Sequence, residues 1–434
     1  MIKNFILKIK KKKFSVCIIG LGYVGLPLAS RLLKKKIKLF GIDTDSKKIS
    51  LLRKGKRYIQ SGDQSITEYF KKNPSNLSSN YEIISKCDVI IVCLPTPLKS
   101  NSTKPDMSFV FNCAKNLKKF IKYNHVVVLE STVYPGATRE FGKKIIKKNF
   151  YLGKNLFLGY SPERENPGDK NFSYRSTPKV ISGYSDNCKL IIKSIYNLFV
   201  KKTVLVNKIE EAELSKLLEN LYRAVNIGLV NEMKIICNKL GIDIFNTIDA
   251  ASTKNFGFEK FLPGPGLGGH CIPIDPFYLS WISKKNGYEP KFIKLAGIIN
   301  SQIPNWTIKQ LHKIIKIKKK TKILLLGVAY KKDTDDDRES PSFEFIKILN
   351  KKKIKYDYCD PYFPKLRKGR NISKIKYSIK LTKQNLKKYD ATILLTDHNN
   401  FDYDLIANNS KIILDTRGKF KNTKFKDNLN IIYS

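Results

Sequence analysis

The sequence predicts an α/β protein built from two doubly wound parallel sheets joined by a helical segment, and three observations carry that prediction. A strand, a glycine-rich turn and a helix follow one another from Phe14 to about Lys35. The longest helical pattern of the chain runs from about Lys208 to Leu240. A second series of short apolar runs, spaced as strands alternating with helices, begins at Lys322. With 434 residues, 42% of them hydrophobic, the chain is large enough to divide into two or three domains. The expected borders are 1–206, 207–305 and 306–434.

In the first domain the apolar run Phe14–Ile19 ends in Gly20-Leu21-Gly22-Tyr23-Val24-Gly25, followed by a helix. There the first glycine permits a tight turn, the second lets a pyrophosphate approach the backbone, and the third lets the helix pack on the strand. The next apolar run, Ile37–Ile42, ends at Asp43, where a carboxylate would hold both ribose hydroxyls of NAD and repel the 2′-phosphate of NADP. Two further strands end in turns, Asp88–Leu94 before Pro95-Thr96-Pro97 and His125–Leu129 before Glu130-Ser131-Thr132. Ligands of an open parallel sheet lie beyond the carboxyl ends of its strands, so Thr96, Glu130, Ser131 and Thr132 are expected to face the cofactor. Hydroxyls capping the following helices fit the same residues.

After the strand-like run Leu156–Tyr160 comes the polar loop Ser161-Pro-Glu163-Arg164-Glu-Asn-Pro-Gly-Asp169, which makes Glu163 a candidate base, although on the local residues alone a solvated loop carboxylate is the better reading. On the long helix, Leu214, Leu217, Leu218, Leu221 and Val225 share one stripe, expected to be buried, with Gly241 as the stop. Lys216 and Asn220, four apart, lie on the opposite side, either as a polar pair entering a site or as ordinary surface residues.

The stretch from Gly264 to Pro276, Gly-Pro-Gly-Leu-Gly-Gly-His-Cys-Ile-Pro-Ile-Asp-Pro, is stiffened by proline and brings the backbone close through glycine. Cys271 with Asp275 four residues on suits a positioned nucleophile and a carboxylate partner. A linker carrying an inert thiol fits the same residue types. A zinc site from His270, Cys271 and Asp275 fits poorly, because adjacent residues seldom both reach one ion and His125, His312 and His398 are scattered. A helix is expected near Pro290–Ser301. The second series of strands then reads Lys322–Gly327, Ile354–Cys359, Ala391–Leu395 and Lys411–Leu414, the first running into a charged loop with Lys331 and Arg338 where glycines would otherwise cradle phosphate.

The formal charge of +45 raises the question of nucleic acid. Its distribution argues against that role, because runs such as Lys10–Lys13, Lys34–Lys36, Lys318–Lys320 and Lys351–Lys353 are spread along the chain and no nucleic-acid motif accompanies them. No apolar run approaches the ~20 residues of a membrane span, and Phe5-Ile6-Leu7 is too short for the core of a signal peptide. The eight cysteines form no CxxC pair. The expectation is a cytoplasmic protein with a basic leader, in a reducing compartment and without membrane insertion.

The motifs taken in order, Gly20-x-Gly22-x-x-Gly25, Pro95-Thr-Pro97, Glu130-Ser-Thr132, Ser161-Pro-Glu163, Glu213-x-x-Lys216-x-x-x-Asn220, Gly268-Gly-His-Cys271-x-x-x-Asp275, Gly327-x-x-Tyr-Lys-Lys-Asp-Thr334 and Arg338-Glu-Ser-Pro, resemble the UDP-glucose/GDP-mannose dehydrogenase family from Phe14 to near Arg417. The resemblance implies an N-terminal Rossmann domain that binds NAD through the glycine turn with Tyr23 and Val24, a central helical segment through which subunits form a homodimer or higher oligomer, and a C-terminal Rossmann-like domain for UDP, with the active site between them. It implies Cys271 as nucleophile, Lys216, Asn220 and Asp275 around the reacting carbon, and Glu163 with Thr132 at the hydrolytic water. It further implies Arg338 on the cofactor, and Arg164, Gly266, Gly268, Lys331 and Arg417 on the sugar nucleotide, with no metal. The glucose-oxidising branch usually reads Gly-Gly-Ser-Cys-Phe-Pro-Lys-Asp. His270 and Ile274 here look like the branch that oxidises UDP-N-acetylhexosamines, with UDP-N-acetyl-D-glucosamine expected first and UDP-N-acetyl-D-mannosamine next.

Overall fold

A computed structural model of the chain describes residues 2–59, 63–99, 102–164, 177–269 and 272–434. His270, Cys271 and the part of the polar loop after Arg164 lie outside the described residues. The chain divides into two compact units, one comprising residues 1–219 and Phe277–Tyr288, the other Asn220–Pro276 and Glu289–Ser434.

In the first unit, β1 (Ser15–Ile19), β2 (Lys38–Ile42), β3 (Leu77–Ser78), β4 (Val89–Val92), β5 (Val126–Leu129), β6 (Phe157–Tyr160), β7 (Lys179–Gly183) and β8 (Thr203–Leu205) form one sheet in the order β3-β2-β1-β4-β5-β6-β7-β8. Neighbours run parallel except β6 and β7. Every residue of β1, β4 and β5 is buried, because helices cover both faces of a parallel sheet, and this is why these strands read as unbroken apolar runs. The register sets Ile19 beside both Ile42 and Val92, so the loops after β1, β2 and β4 leave from one edge. The strand order and that shared edge are those of a dinucleotide-binding sheet.

Within the basic N-terminal stretch, Ile2–Lys10 is a helix. Its Ile2, Phe5, Ile6 and Ile9, spaced at helical period, pack into the core of this unit, and Lys8 reaches Asp88 at 2.5 Å.

The second unit holds β9 (Lys322–Leu326) and β10 (Lys355–Cys359), the short antiparallel pair β11 (Lys365–Leu366) and β12 (Lys376–Tyr377), then β13 (Ala391–Leu394), β14 (Ile413–Asp415) and β15 (Ile431–Tyr433). The sheet β10-β9-β13-β14-β15 is parallel throughout, a second nucleotide-binding order. The helix expected to stop near Ser301 continues to Ile315 through Pro304, whose ring is buried.

The long helix, Ile209–Leu240, corrects the sequence reading of its faces. Leu217 is buried, but Leu214 is 40% and Leu218 59% exposed, while Glu213, Lys216, Asn220, Asn231 and Lys234 are all under 9%. Four of these five have hydrogen-bond partners on other segments: Glu213 accepts from the backbone N–H of Gly136 and Thr138, Asn220 donates to Asp275, and Asn231 and Lys234 hold Gly264. Buried polar groups persist where they are paired, so these side chains are buried together with Ala212, Leu217, Ala224 and Val230 of the same helix.

Candidate active site

The glycine turn in the first unit passes a direct test of fit for NAD. Gly20 has φ +92°, and a Cβ there would stand 2.4 Å from the carbonyl oxygen of Cys93; one on Gly25 would stand 2.0 Å from that of Gly20. Both positions are glycine because the chain's own backbone fills the space. A Cβ on Gly22 would meet nothing within 4 Å, leaving open the backbone a pyrophosphate approaches. Tyr23 and Val24 are half-buried beside it. Asp43, 8% exposed, accepts from the backbone N–H of Leu21 at 3.0 Å and of Asp45 at 2.9 Å, which holds the carboxylate at the end of β2 with lone pairs left for ribose hydroxyls.

Beyond β4 and β5, Thr96 and Ser131 are buried, and Ser131 Oγ accepts from Leu94 N at 2.9 Å, tying the two strand ends together. The carbonyl of Thr96 receives the hydroxyl of Tyr278. Thr132 is half-buried. The carboxylate of Glu130 is engaged by Lys179 and Tyr196. Glu163 accepts from Arg164 N at 2.9 Å and from Lys179 Nζ at 3.3 Å, and the Arg164 guanidinium pairs with Glu219 at 2.7 Å. Lys216, 8% exposed, has no hydrogen bond or ion pair among the described residues. Glu213, one turn earlier, is pushed up to about 7 by burial.

In the second unit Asn220 Nδ2 donates to Asp275 Oδ2 at 2.5 Å across 55 residues of chain. Asp275 opens the helix Asp275–Lys285 and is 2% exposed, a carboxylate at a helix N-terminus. Gly264 is bracketed by the long helix: its N–H donates to Asn231 Oδ1 at 3.0 Å and its carbonyl accepts from Lys234 Nζ at 3.0 Å. Asn231 in turn donates to Asn300 at 2.9 Å. Lys234 is lowered to about 7, by burial first and Arg417 second. A Cβ on Gly268 would press on Tyr330 and Pro341, and Gly269 N donates to Arg338 O at 3.0 Å, so the loop before Cys271 lies against the charged loop after β9. Gly266, with φ +134°, leaves little room beside Pro341. Arg417 donates through Nε to Leu395 O at 2.8 Å and flanks Gly264. Arg338 forks onto Asp336, with Nη2 at 2.6 Å, and Lys331 is half-buried.

The structure thus joins Asn220 to Asp275, Glu163 to Glu130 through Lys179, and the glycine loop to Arg338 and Arg417. Sequence reasoning missed Lys179, Asn231, Lys234 and Asn300. A lysine carried no local signal among 82 Lys and Arg residues, and the asparagines fell inside helical runs.

An open sheet whose first turn fits a dinucleotide, in a chain with a second sheet of nucleotide-binding order, is the construction of a nucleotide-dependent dehydrogenase. Residues 14–200, 210–302 and 324–422 match, in turn, the NAD binding, central and UDP binding domains of the UDP-glucose/GDP-mannose dehydrogenase family. The chain belongs to that family and is an NAD-dependent oxidoreductase. It is 34% identical over 359 residues to the UDP-N-acetyl-D-glucosamine 6-dehydrogenase of Pseudomonas aeruginosa, covering 81% of this chain and 83% of that protein. It is 31% identical over 432 residues to the UDP-N-acetyl-D-mannosamine dehydrogenase of Methanococcus vannielii, covering 96% of each. Among solved structures it is similar to the UDP-D-ManNAc dehydrogenase of Pyrococcus horikoshii, with a TM-score of 0.84, 26% identity, and 96% of this chain and 98% of that one covered.

Proposed function

We propose that the chain oxidises the C6 alcohol of a UDP-N-acetylhexosamine, UDP-N-acetyl-D-glucosamine first, to the uronic acid used in surface polysaccharide synthesis. The observation that carries this reading is the buried polar set on one helix, Lys216 with Asn220 locked to Asp275, in a chain whose cysteine loop has the acetamido-sugar form. NAD, when bound to the glycine turn and Asp43, supplies the hydride acceptor for both oxidations. Cys271 adds to the C6 aldehyde to form a thiohemiacetal, and oxidation of that adduct leaves a thioester on the cysteine. Water then attacks the thioester carbon, Glu163 takes a proton from it with Thr132 alongside, and Cys271 departs as thiolate, releasing the acid. Lys216 and Asn220 donate to the oxyanion of each tetrahedral stage. One Nδ2 hydrogen of Asn220 is used on Asp275, which orients the amide so that the other remains for substrate. Arg164, Gly266, Gly268, Lys331 and Arg417 are assigned to the sugar nucleotide and Arg338 to the cofactor.

UDP-N-acetyl-D-mannosamine is the second reading, supported by the near-complete coverage of the Methanococcus relative. The test compares kcat/KM for these two sugars and UDP-glucose, each with NAD and NADP, while following NADH or NADPH. A site that bonds an acetamido group leaves a polar partner unpaired when a hydroxyl replaces it, so UDP-glucose is expected at least ~10-fold lower, and NADP lower by roughly 10–100-fold. A preference for UDP-glucose defeats the sugar assignment, and equal use of NADP defeats the role of Asp43.

The outward stripe of the long helix, with Leu214, Leu218, Tyr222 and Leu229 each at least 40% exposed, supports subunit pairing through this helix. Leu218→Glu is expected to halve the mass measured by light scattering; an undiminished oligomer places the interface elsewhere. No helix among the described residues is long and apolar enough to cross a membrane. The cysteines described are all free and buried, which fits reducing cytoplasm.

A further inference from the structure

The one antiparallel step in the large sheet brings a lysine to the candidate base. β6 and β7 pair Gly159 with Gly183 and Tyr160 with Ser182, so extending that register sets Glu163, just past β6, opposite Lys179, the first residue of β7. Ser161 Oγ donating to Val180 O at 2.8 Å continues the pairing. In a parallel sheet a strand's first residue lies at the far edge; here it lies at the edge where β4, β5 and β6 end.

Lys179 is 2% exposed and its ammonium serves two carboxylates, Glu130 Oε2 at 2.9 Å and Glu163 Oε2 at 3.3 Å. Glu130, 1% exposed, also takes the Tyr196 hydroxyl, and the ammonium lies 5.9 Å from the Tyr196 ring centre. The other oxygen of Glu163 takes the Arg164 backbone N–H, while the Arg164 guanidinium is paired with Glu219 on the long helix. Among the described residues the Cys93 thiol after β4 is a further titratable neighbour, pushed up by burial first and then by Glu130 and Glu163. Burial pushes Glu130 up as well, while Lys179 opposes that shift. Among the described residues the two carboxylates therefore share the Lys179 cation, and what one gains in charge stabilisation from it the other loses.

We propose that Lys179 is a positioning residue of the hydrolytic step, its ammonium divided between Glu130 and Glu163 so that the Glu163 carboxylate is held oriented while Glu130 serves as the buried counter-charge. This rests on Glu163 acting as the base for thioester hydrolysis. In that step Glu163 takes one proton from water, and the thiolate of Cys271 leaves as the acid forms. The arrangement predicts opposite effects from its two supports. Removing the cation favours the protonated form of a facing carboxylate, so the acidic limb of hydrolysis moves up in pH; removing the competing carboxylate frees more of the cation for Glu163, and the limb moves down.

The experiment follows thioester decay on Cys271 by intact-protein mass after rapid quench, from pH 5 to 9, with NADH release recorded separately. Lys179→Met is expected to raise the apparent pKa of the acidic limb by about one unit or more, Glu130→Gln to lower it, and Lys179→Arg to leave it in place. The NADH burst should change less than hydrolysis in each. If neither Lys179→Met nor Glu130→Gln moves the limb, the proposal is overturned; should Lys179→Met not fold, a limb in Glu130→Gln that fails to fall overturns it alone. Glu163→Gln separates the two layers. Hydrolysis at wild-type rate in that variant removes the base assignment itself, whereas slowed hydrolysis there with unmoved limbs in the other variants removes only the role of Lys179.

Discussion

Cys271→Ser is expected to abolish acid formation, lowering turnover by a factor on the order of 10⁴–10⁶, the scale on which loss of a covalent nucleophile is felt. An aldehyde left unbound hydrates and is a poor donor for a second oxidation, whereas a thiol adduct has its carbon positioned and passes to an activated acyl group. Serine in its place is a weaker nucleophile at neutral pH, and an oxygen ester is much harder for water to clear than a thioester. The measurement is the stoichiometry of NADH per sugar: two for the wild-type chain and no more than one for the variant. Two equivalents from Cys271→Ser would place the nucleophile at another residue. Mass spectrometry of Glu163→Gln after substrate addition gives the complementary view, since an adduct should accumulate on Cys271 when hydrolysis is slowed.

Lys216→Ala is expected to lower kcat by ~10²–10³-fold with a smaller change in KM, the size associated with removing one preorganised donor to an oxyanion. The geometry that supports this is a lysine 8% exposed without an ion pair among the described residues. A cation held out of water without a carboxylate partner is costly, and the cost is justified where negative charge develops opposite it. Lys216→Arg should recover little, because the guanidinium is larger and its donors fork where a single ammonium proton is needed. A variant whose KM rises while kcat holds would recast Lys216 as a ground-state binding group. Circular dichroism and thermal melting of the same variants separate that outcome from loss of fold.

The two predictions draw on information of different origin. Cys271 was reached from its setting in a run of glycines and prolines, and Lys216 from its four-residue spacing to Asn220 on a helix. The helix was legible, but its orientation was not. Leucines at 214, 217, 218 and 221 announce an apolar stripe, yet amphipathic spacing reports only that two faces differ and leaves open which one turns inward. The partners that settle it, Gly136, Thr138, Gly264 and Asp275, stand 30 to 77 residues away in the chain. Their hydrogen bonds bury Glu213, Asn220, Asn231 and Lys234 together with Leu217, while Leu214 and Leu218 stay outside.

By itself the sequence determined the alternation of strands and helices in the two α/β units, the glycine turn and the carboxylate after β2, because each depends on short-range stereochemistry. Gly20 and Gly25 answer to backbone contacts within the turn and the neighbouring strand, and Asp43 follows directly from where β2 ends. The helical docking of Ile2–Lys10, the clamp of Asn231 and Lys234 on Gly264, and the meeting of Lys179 with Glu130 and Glu163 were decided only by the tertiary structure. Each is a pairing of groups remote in sequence. Desolvation makes such a group stable only when its partner arrives, and no local pattern of residues records which partner that will be.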